Sequence, residues 1–243
     1  MDKNLIISFR EYFKNAEIIT VEDIRAFLNN DKDIRKEVHY LKKQGVITAV
    51  KRGIYQLSEK KEFQPVPDAR IKKINHLLAT GFPEISYCIW STEWLHPLMN
   101  LQPFRFFYIL ETEKDTVEPV FYQLKDSQIN AFIQPDKDFA DKYIINSNEP
   151  VIVKPLISRS PCQKHEDVVM ASLEKILVDM YCEPDVFYAF QGNELRNIFN
   201  NAFRQYRINY SRLLNYYKRR KKDNSMVEYL LKNVEDIPKN LLK

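Results

Sequence analysis

The sequence predicts an α+β protein: a small N-terminal domain of helices and a hairpin, then a larger mixed α/β domain with a helical C-terminal part. Three observations lead to this prediction. Apolar residues recur at helical spacing up to residue 44, the spacing changes to that of short strands in residues 46–57, and strands then alternate with helices. The 243 residues are 44% hydrophobic, which is enough for one large or two ordinary cores.

The three predicted helices of the first domain each place apolar side chains on one face. Thr20 can cap the second helix, and Gly45 ends a third helix that runs from about residue 30 to residue 44. The apolar positions are Leu5, Ile6, Phe9 and Phe13 in the first helix, Ile24, Phe27 and Leu28 in the second, and Ile34, Val38 and Leu41 in the third.

A β-hairpin follows these helices. Residues 46–50 and 54–57 are short runs of strand-forming residues, and Gly53 between them supplies the positive φ that a tight turn needs. Three helices followed by a hairpin is the order of a winged helix-turn-helix, so we predict this fold for residues 1–57.

The rest of the chain divides into a linker and a second domain. Residues 58–67 combine charges with two prolines and lack periodicity, so we place the linker there and the second domain at residues 68–243. A helix is predicted near residues 69–79, and strands at 85–90, 105–111, 130–133, 143–145 and 151–155. From Ser172 onwards the pattern is helical, and Ser225 with Glu228 is typical of a capping box for the last helix.

The third helix carries the sharpest functional pattern. With its apolar residues turned inward, a period of 3.6 residues places six basic residues outward: Lys32, Arg35, Lys36, His39, Lys42 and Lys43. A helix fits the major groove of DNA, the groove's phosphates attract cations, and Arg35 has the planar group that can reach a guanine edge. Lys51 and Arg52 at the hairpin tip would then contact the adjacent backbone or minor groove. An ordinary solvated helix face is the alternative, and the nearby acids reduce the positive potential: Asp31, Asp33 and Glu37.

A second basic segment lies between Leu195 and Lys222, where no acidic residue occurs. This segment could bind nucleic acid or an acidic partner protein, with tyrosines stacking and arginines neutralising phosphate. Core packing is the alternative for its tyrosines and leucines, which share helical spacing. The candidate basic residues are Arg204, Arg207, Arg212, Lys218, Arg219 and Arg220.

Patterns for catalysis or for a cofactor are weak. Asp136 and Asp138 have the spacing of paired metal-binding acids but lack the preceding glycine turn, and the sequence Glu59-Lys60-Lys61 lies in the linker. Glu174 and Asp179 on one helix could form a buried polar pair. The four glycines are scattered, and the histidines and cysteines lack zinc-ligand spacing. We therefore predict no enzyme activity, no cofactor and no metal site.

The cysteines and the N-terminus indicate a cytoplasmic protein. The three cysteines are far apart and odd in number, which disfavours a disulfide framework. The apolar run near the N-terminus is too short for a signal peptide or a membrane span. The net charge of +4 permits a polyanionic partner without requiring one.

The residues from Arg35 to Leu57, RKEVHYLKKQGVITAVKRGIYQL, resemble the N-terminal winged helix of AbiEi-type antitoxins, in which a basic helix leads to a wing with a Gly-hydrophobic-Tyr signature. Three further stretches are similar to the C-terminal domain of that group: YCIWSTEWL from Tyr87, LEKILVDMY from Leu173 and YYKRRKK from Tyr216. The first stretch is the most specific, although winged helices in general share much of it.

This resemblance implies the antitoxin of a type IV toxin-antitoxin system. Such a protein represses its own operon by binding double-stranded operator DNA and counteracts a nucleotidyltransferase-like toxin encoded beside it. By position, the basic residues of the third helix would face the groove, and Lys51 and Arg52 would face the backbone. Two alternatives remain: an enzyme acting on nucleic acid or nucleotides that uses the winged helix only for targeting, and an adaptor that binds an acidic protein through residues 196–222.

Overall fold

The computed structural model describes residues 3–16, 18–29, 33–58, 60–103, 105–133, 147–235 and 237. The chain is an α+β protein, and its described residues form a three-stranded sheet and a six-stranded sheet. The predicted strand at 143–145 lies outside the described residues.

The first sheet belongs to the N-terminal domain. Three helices pack on one side of it around a core that includes Phe9, Ile24 and Leu41. The strand order is β1-β3-β2, and all pairs are antiparallel. The elements are α1 (Lys3–Tyr12), β1 (Ile19–Thr20), α2 (Val21–Leu28), α3 (Ile34–Lys43), β2 (Ile47–Lys51) and β3 (Ile54–Leu57).

Local sequence explains where these elements begin and end. Thr20 caps α2 as predicted: its Oγ1 accepts from the Asp23 N–H at 3.1 Å, and an Asp23 carboxylate oxygen accepts from the Thr20 N–H at 2.8 Å. Gly45 follows α3 with φ of +65°, and Gly53 turns the hairpin with φ of +78°. The third helix is shorter than predicted and begins at Ile34, after the N-cap Asp33.

The second sheet is the centre of the larger domain. Its strand order is β6-β7-β5-β4-β9-β8; the pairs β4/β5 and β8/β9 are antiparallel, and the other three pairs are parallel. The strands are β4 (Tyr87–Ser91), β5 (Tyr108–Thr112), β6 (Ala131–Ile133), β7 (Val151–Pro155), β8 (Cys162–His165) and β9 (Val168–Ala171). The sequence predicted β4 to β7 to within three residues at each end but not the β8/β9 hairpin.

Helices cover both faces of this sheet. On one face, α4 (Ala69–Gly81) and α5 (Val117–Asp126) pack against alternate strand residues such as Ile89 and Leu110. The opposite face, with Trp90 and Ile109, packs against the helical C-terminal part. That part comprises α6 (Leu173–Cys182), α7 (Asn193–Gln205), α8 (Tyr210–Arg220) and α9 (Ser225–Asn233), and short 3₁₀ turns lie at Thr92–Leu98, Lys114–Thr116 and Tyr188–Phe190.

The predicted capping box of the last helix does not form. Ser225 is the first residue of α9, and its backbone N–H donates to the carboxylate of Asp223 at 3.0 Å. Asp223 therefore accepts the backbone N–H of Ser225, which Glu228 would have accepted in a capping box.

The two domains are packed together through the predicted linker and the hairpin. Phe63 in the linker is 8% exposed and contacts the rings of Trp94 and Tyr206. The linker backbone pairs with the C-terminal end of α7 and the residues after it, since the Lys61 N–H donates to the Gln205 carbonyl and the Arg207 N–H donates to the Lys61 carbonyl. Residues 60–67 of the predicted linker are therefore an ordered connection.

Candidate nucleic-acid interface

The helix α3 presents basic residues to solvent. Val38 and Leu41 are buried in the first core, and the side chains on the opposite face are exposed. These exposed residues are Arg35, Lys36, His39, Lys42 and Lys43. The structure thus brings five of the predicted residues onto one exposed surface, whereas Lys32 lies outside the described residues.

Of the acids near α3, Asp33 acts on the first turn of the helix, and Asp31 lies outside the described residues. The Asp33 carboxylate accepts from the Arg35 N–H at 3.3 Å, and Asp33 also lies 3.8 Å from the Lys36 ammonium. A carboxylate at a helix N-terminus stabilises the helix through its dipole. Asp33 therefore offsets charge near Lys36, whereas Lys42 and Lys43 lie two turns further along.

The hairpin tip lies near the start of α2, where the Val21 N–H donates to the Gly53 carbonyl at 3.3 Å. Arg52 is exposed, and the pairing of β2 with β3 shifts by one residue between Ala49 and Lys51. Such a bulge increases the local twist and redirects the tip. Of Lys51 the structure describes only the backbone.

Two arginines hold the C-terminal end of α3. An Arg207 guanidinium nitrogen donates to the Lys42 carbonyl at 3.4 Å, and an Arg10 guanidinium nitrogen donates to the Gly45 carbonyl at 3.4 Å. Cations at this end of a helix satisfy its last carbonyls and the negative end of its dipole. Arg207 lies between α7 and α8, so its contact with Lys42 fixes α3 against the larger domain. The same side chain pairs with Glu62 at 3.3 Å.

The hairpin is covered on its second face by the larger domain. Val50 belongs to the large core cluster together with Phe203 and Tyr210. The Ser211 hydroxyl on α8 donates to the Val50 carbonyl at 3.0 Å. The position of the hairpin relative to α3 is therefore set by both domains.

The second predicted basic surface is divided by the fold. Arg204, Arg212, Lys218 and Arg219 are exposed. Arg207 and Arg220 are not part of an exposed basic surface, because both side chains are largely buried and paired with acids. The tyrosines and leucines of this segment pack in the core as the alternative interpretation expected, with Tyr210, Leu213 and Tyr217 buried.

Arg220 belongs to a buried cluster of charges between the sheet and the C-terminal helices. Glu111 on β5 lies 3.1 Å from the Lys154 ammonium on β7 and 2.5 Å from the Lys175 ammonium on α6. Lys175 also pairs with Asp179 at 2.5 Å, and Lys154 pairs with Glu183 at 2.6 Å. The Arg220 guanidinium pairs with Asp179 and Glu183.

This charge cluster is balanced, with three acids and three bases. Burial acts to lower the pKa of Lys175, but the carboxylates of Asp179 and Glu111 hold it well above its ordinary value. Burial likewise acts to raise the pKa of Asp179, but the neighbouring cations, Lys175 first, lower it to about 2. All three carboxylates are engaged in ion pairs, so the cluster ties α6 and α8 to the sheet.

Sequence reasoning found only part of the charge cluster. Glu174 and Asp179 are both buried, as the sequence suggested, but only Asp179 belongs to the cluster; the Glu174 carboxylate accepts from the Asn209 N–H at 2.9 Å. Glu111 and Lys154 were missed. The available signal was a single charge inside each of two apolar strands, YILET and VIVKP, which are buried on both faces.

The residues considered for metal chemistry give no further site. Glu59, Asp136 and Asp138 lie outside the described residues. Within the described ranges, no group of three or more His, Cys, Asp or Glu side chains is placed to hold a metal ion. No helix in the described part of the chain has the length and apolarity needed to cross a membrane.

The fold and this surface define an α+β protein that presents a basic helix beside a hairpin. Residues 33–236 match the model of a family of unknown function, DUF6577, and the chain belongs to this family. The match includes α3, the hairpin and the larger domain but not α1 and α2. No curated protein and no solved structure matches the chain.

Proposed function

We propose that the protein is a DNA-binding transcriptional regulator in which residues 1–57 form a winged helix-turn-helix. Support comes from the order of helices and strands, with two helices before the hairpin and β1 paired beside β3. In this fold the second helix of the pair enters the major groove and the hairpin lies along the backbone. The corresponding elements here are α3 and the tip at Arg52.

The observation that carries the proposal is the exposed basic face of α3. Its inner face packs in the core, so the helix is fixed, and its cations face solvent away from that core. Lys42 and Lys43 would bind phosphates, and Arg35 near the N-terminal end would contact bases. The exposed Arg52 would add a phosphate contact from the wing.

A titration of the protein with duplex DNA from the region upstream of its own gene tests this proposal. The triple variant Arg35→Ala, Lys42→Ala, Lys43→Ala should weaken binding and reduce the slope of log K against log salt by about 1.8, since it removes two phosphate contacts that contribute about 0.9 each. Fluorescence anisotropy at several salt concentrations gives both quantities. Arg52→Ala should reduce the slope by about 0.9.

A matched control removes exposed cations elsewhere. Lys72 on α4 and Lys125 on α5 are both exposed, so the variant Lys72→Ala, Lys125→Ala changes the net charge by two without altering the proposed interface. Its slope should remain close to that of the wild type. An equal loss per cation removed in the control and in the triple variant would mean that DNA senses only the total charge, and the assignment to α3 would then be abandoned.

We further propose that this regulator acts as an autorepressing antitoxin of a type IV toxin-antitoxin system. The support is the resemblance of residues 35–57 and of three stretches in the larger domain. The stretch LEKILVDMY corresponds to α6, whose Lys175 and Asp179 belong to the buried charge cluster. We therefore assign the stretch LEKILVDMY a structural role in the larger domain.

Co-expression tests the antitoxin assignment separately. If the neighbouring reading frame encodes a nucleotidyltransferase-like protein whose expression stops growth, co-expression of this chain should restore growth. The triple α3 variant should lose repression of the operon but retain rescue when expressed from an independent promoter. A neighbouring frame of another kind, or no rescue, would reject the antitoxin role while leaving the DNA-binding proposal standing.

A further inference from the structure

A positively charged cavity lies between α8 and the turn that precedes β8. Its volume is about 720 Å³, which falls in the range of about 300–1,000 Å³ typical of small-molecule sites. Four of its nine lining residues are cationic, and none of the nine is acidic. The cations are Arg159 on the turn and Arg212, Lys218 and Arg219 on α8.

Contacts across the cavity orient two of these side chains. An Arg212 guanidinium nitrogen donates to the Cys162 carbonyl at 3.3 Å, and an Arg219 guanidinium nitrogen donates to the Ser158 hydroxyl at 3.1 Å. Arg212 and Arg219 are thus both held by the facing segment 158–162. Because these contacts use neutral acceptors, both guanidinium groups keep their full charge and have N–H donors left for a ligand.

The turn itself places Arg159 in an uncommon conformation. Its φ is +58°, in the left-handed region that non-glycine residues rarely adopt. The turn is closed by the Ser160 N–H and hydroxyl, which both donate to the Ile157 carbonyl, at 3.1 Å and 2.6 Å. The neighbouring contacts therefore fix the backbone that carries Arg159 at the edge of the cavity.

The four cations are not neutralised by the acids behind them. The nearby charge cluster has three acids that are matched by its own three bases, including Arg220 at the end of α8. Among the residues that the structure describes, no carboxylate forms an ion pair with Arg159, Arg212, Lys218 or Arg219. The cavity therefore has a positive potential that an anionic ligand would lower.

We propose that this cavity binds a small phosphorylated ligand with at least two phosphate groups, of the nucleoside polyphosphate or pyrophosphate class. Arginine groups match phosphate geometry with paired N–H donors, and Lys218 supplies a flexible point charge. The cations line a concave space from two sides, a shape that encloses a compact ligand, whereas α3 offers an exposed face for a duplex. This site is independent of the proposed DNA contact and goes beyond it.

Isothermal titration of the full chain with inorganic pyrophosphate and with ATP tests the proposal. We expect saturable binding at one site per chain, and a dissociation constant at least about tenfold higher in Arg212→Ala, Lys218→Ala, because two charged donors are lost. The control variant Lys72→Ala, Lys125→Ala should bind as the wild type does. Lys218→Glu provides a second variant that leaves the arginine contacts in place, and it should abolish measurable binding because it places an acid in the cavity.

Titration with duplex DNA of unrelated sequence distinguishes a small phosphorylated ligand from the phosphate backbone of DNA. If the cavity holds a small ligand, Lys218→Glu should lose pyrophosphate and ATP binding but retain duplex binding at moderate salt. Three outcomes would overturn the proposal: no saturable binding of either small probe at millimolar concentration, unchanged affinity in both cavity variants, or a phosphate response confined to the duplex. A thermal unfolding curve for each variant confirms that it is folded.

Discussion

The helices α3 and α8 are both basic in sequence, but the fold uses their charges differently. On α3 the cations remain exposed, and Asp33 lies near only the first turn. On α8, Arg220 is drawn into the charge cluster by Asp179 and Glu183, which lie 41 and 37 residues earlier in the chain. The comparison teaches that a basic stretch can be assigned to a surface only when the distant acids that neutralise it are known.

The largest expected effect comes from removing a cation of the charge cluster. Lys175 is 0% exposed and contacts both Glu111 and Asp179, so Lys175→Met leaves two buried carboxylates short of a partner. We expect the free energy of unfolding to fall by about 3 to 5 kcal/mol. Urea denaturation at neutral pH measures it, and a loss below about 1 kcal/mol would show that water reaches these carboxylates.

Acid should weaken the charge cluster next. The pKa of Asp179 is about 2 in the folded chain and about 3.9 when unfolded, so its contribution is present above pH 4 and is lost as the pH falls toward 2. The expected loss between about pH 5 and pH 2 is about 2 kcal/mol. Urea denaturation across this range measures the loss, and Asp179→Asn should flatten this part of the profile. A profile as steep as that of the wild type would assign the acid sensitivity to other carboxylates.

An effect of similar size is expected where α3 meets the larger domain. A Cβ at Gly45 would lie 2.2 Å from the Arg207 guanidinium, and the φ of +65° adds backbone strain. Gly45→Ala should therefore cost about 1 to 2 kcal/mol for strain and about 0.5 to 1 kcal/mol for the displaced Arg207 contacts.

A double-mutant cycle with Arg207→Ala separates these two costs. In the Arg207→Ala background only the strain should remain, so the coupling energy should equal the contact contribution. Thermal or urea unfolding of the four proteins gives this value. Additive effects would show that Arg207 moves away from Gly45 without loss.

The smallest effect on stability is expected on the exposed face of α3. Lys42→Met and Lys43→Met should each change the free energy of unfolding by less than about 0.5 kcal/mol, because both side chains are exposed. The same urea experiment measures it. A loss as large as that of Lys175→Met would mean that the α3 cations, like Arg220, serve the fold.

Sequence reasoning succeeded where the determinants are local. The apolar spacing of Val38 and Leu41 identified the buried face of α3, and Thr20 and Gly45 marked helix boundaries. It failed for β8, whose residues CQKH are partly exposed and lack an apolar pattern. That strand is defined by its pairing with β9, and the spacing of apolar residues along the sequence does not predict this pairing.

The charge cluster and the cavity depend on contacts distant in sequence. Glu111 and Lys154 are neighbours because β5 and β7 pair in parallel with these two residues in register, and that register is unknown before the fold is known. In the cavity, Arg159 lies 53 residues before Arg212 in the sequence. The sequence therefore predicted the exposed basic face of α3, but it did not predict which α8 cations are buried in ion pairs and which line the cavity.

The covered second face of the hairpin has a consequence for synthesis of the chain. The strands β2 and β3 are complete by residue 57, but Phe203 and Tyr210, which share a core cluster with Val50, are made about 150 residues later. At about 5 to 20 residues per second, this is a delay of roughly 8 to 30 s. During that interval the nascent N-terminal domain exposes Val50 to solvent, and chaperone contact at the hairpin should end once residues 203–211 leave the ribosome.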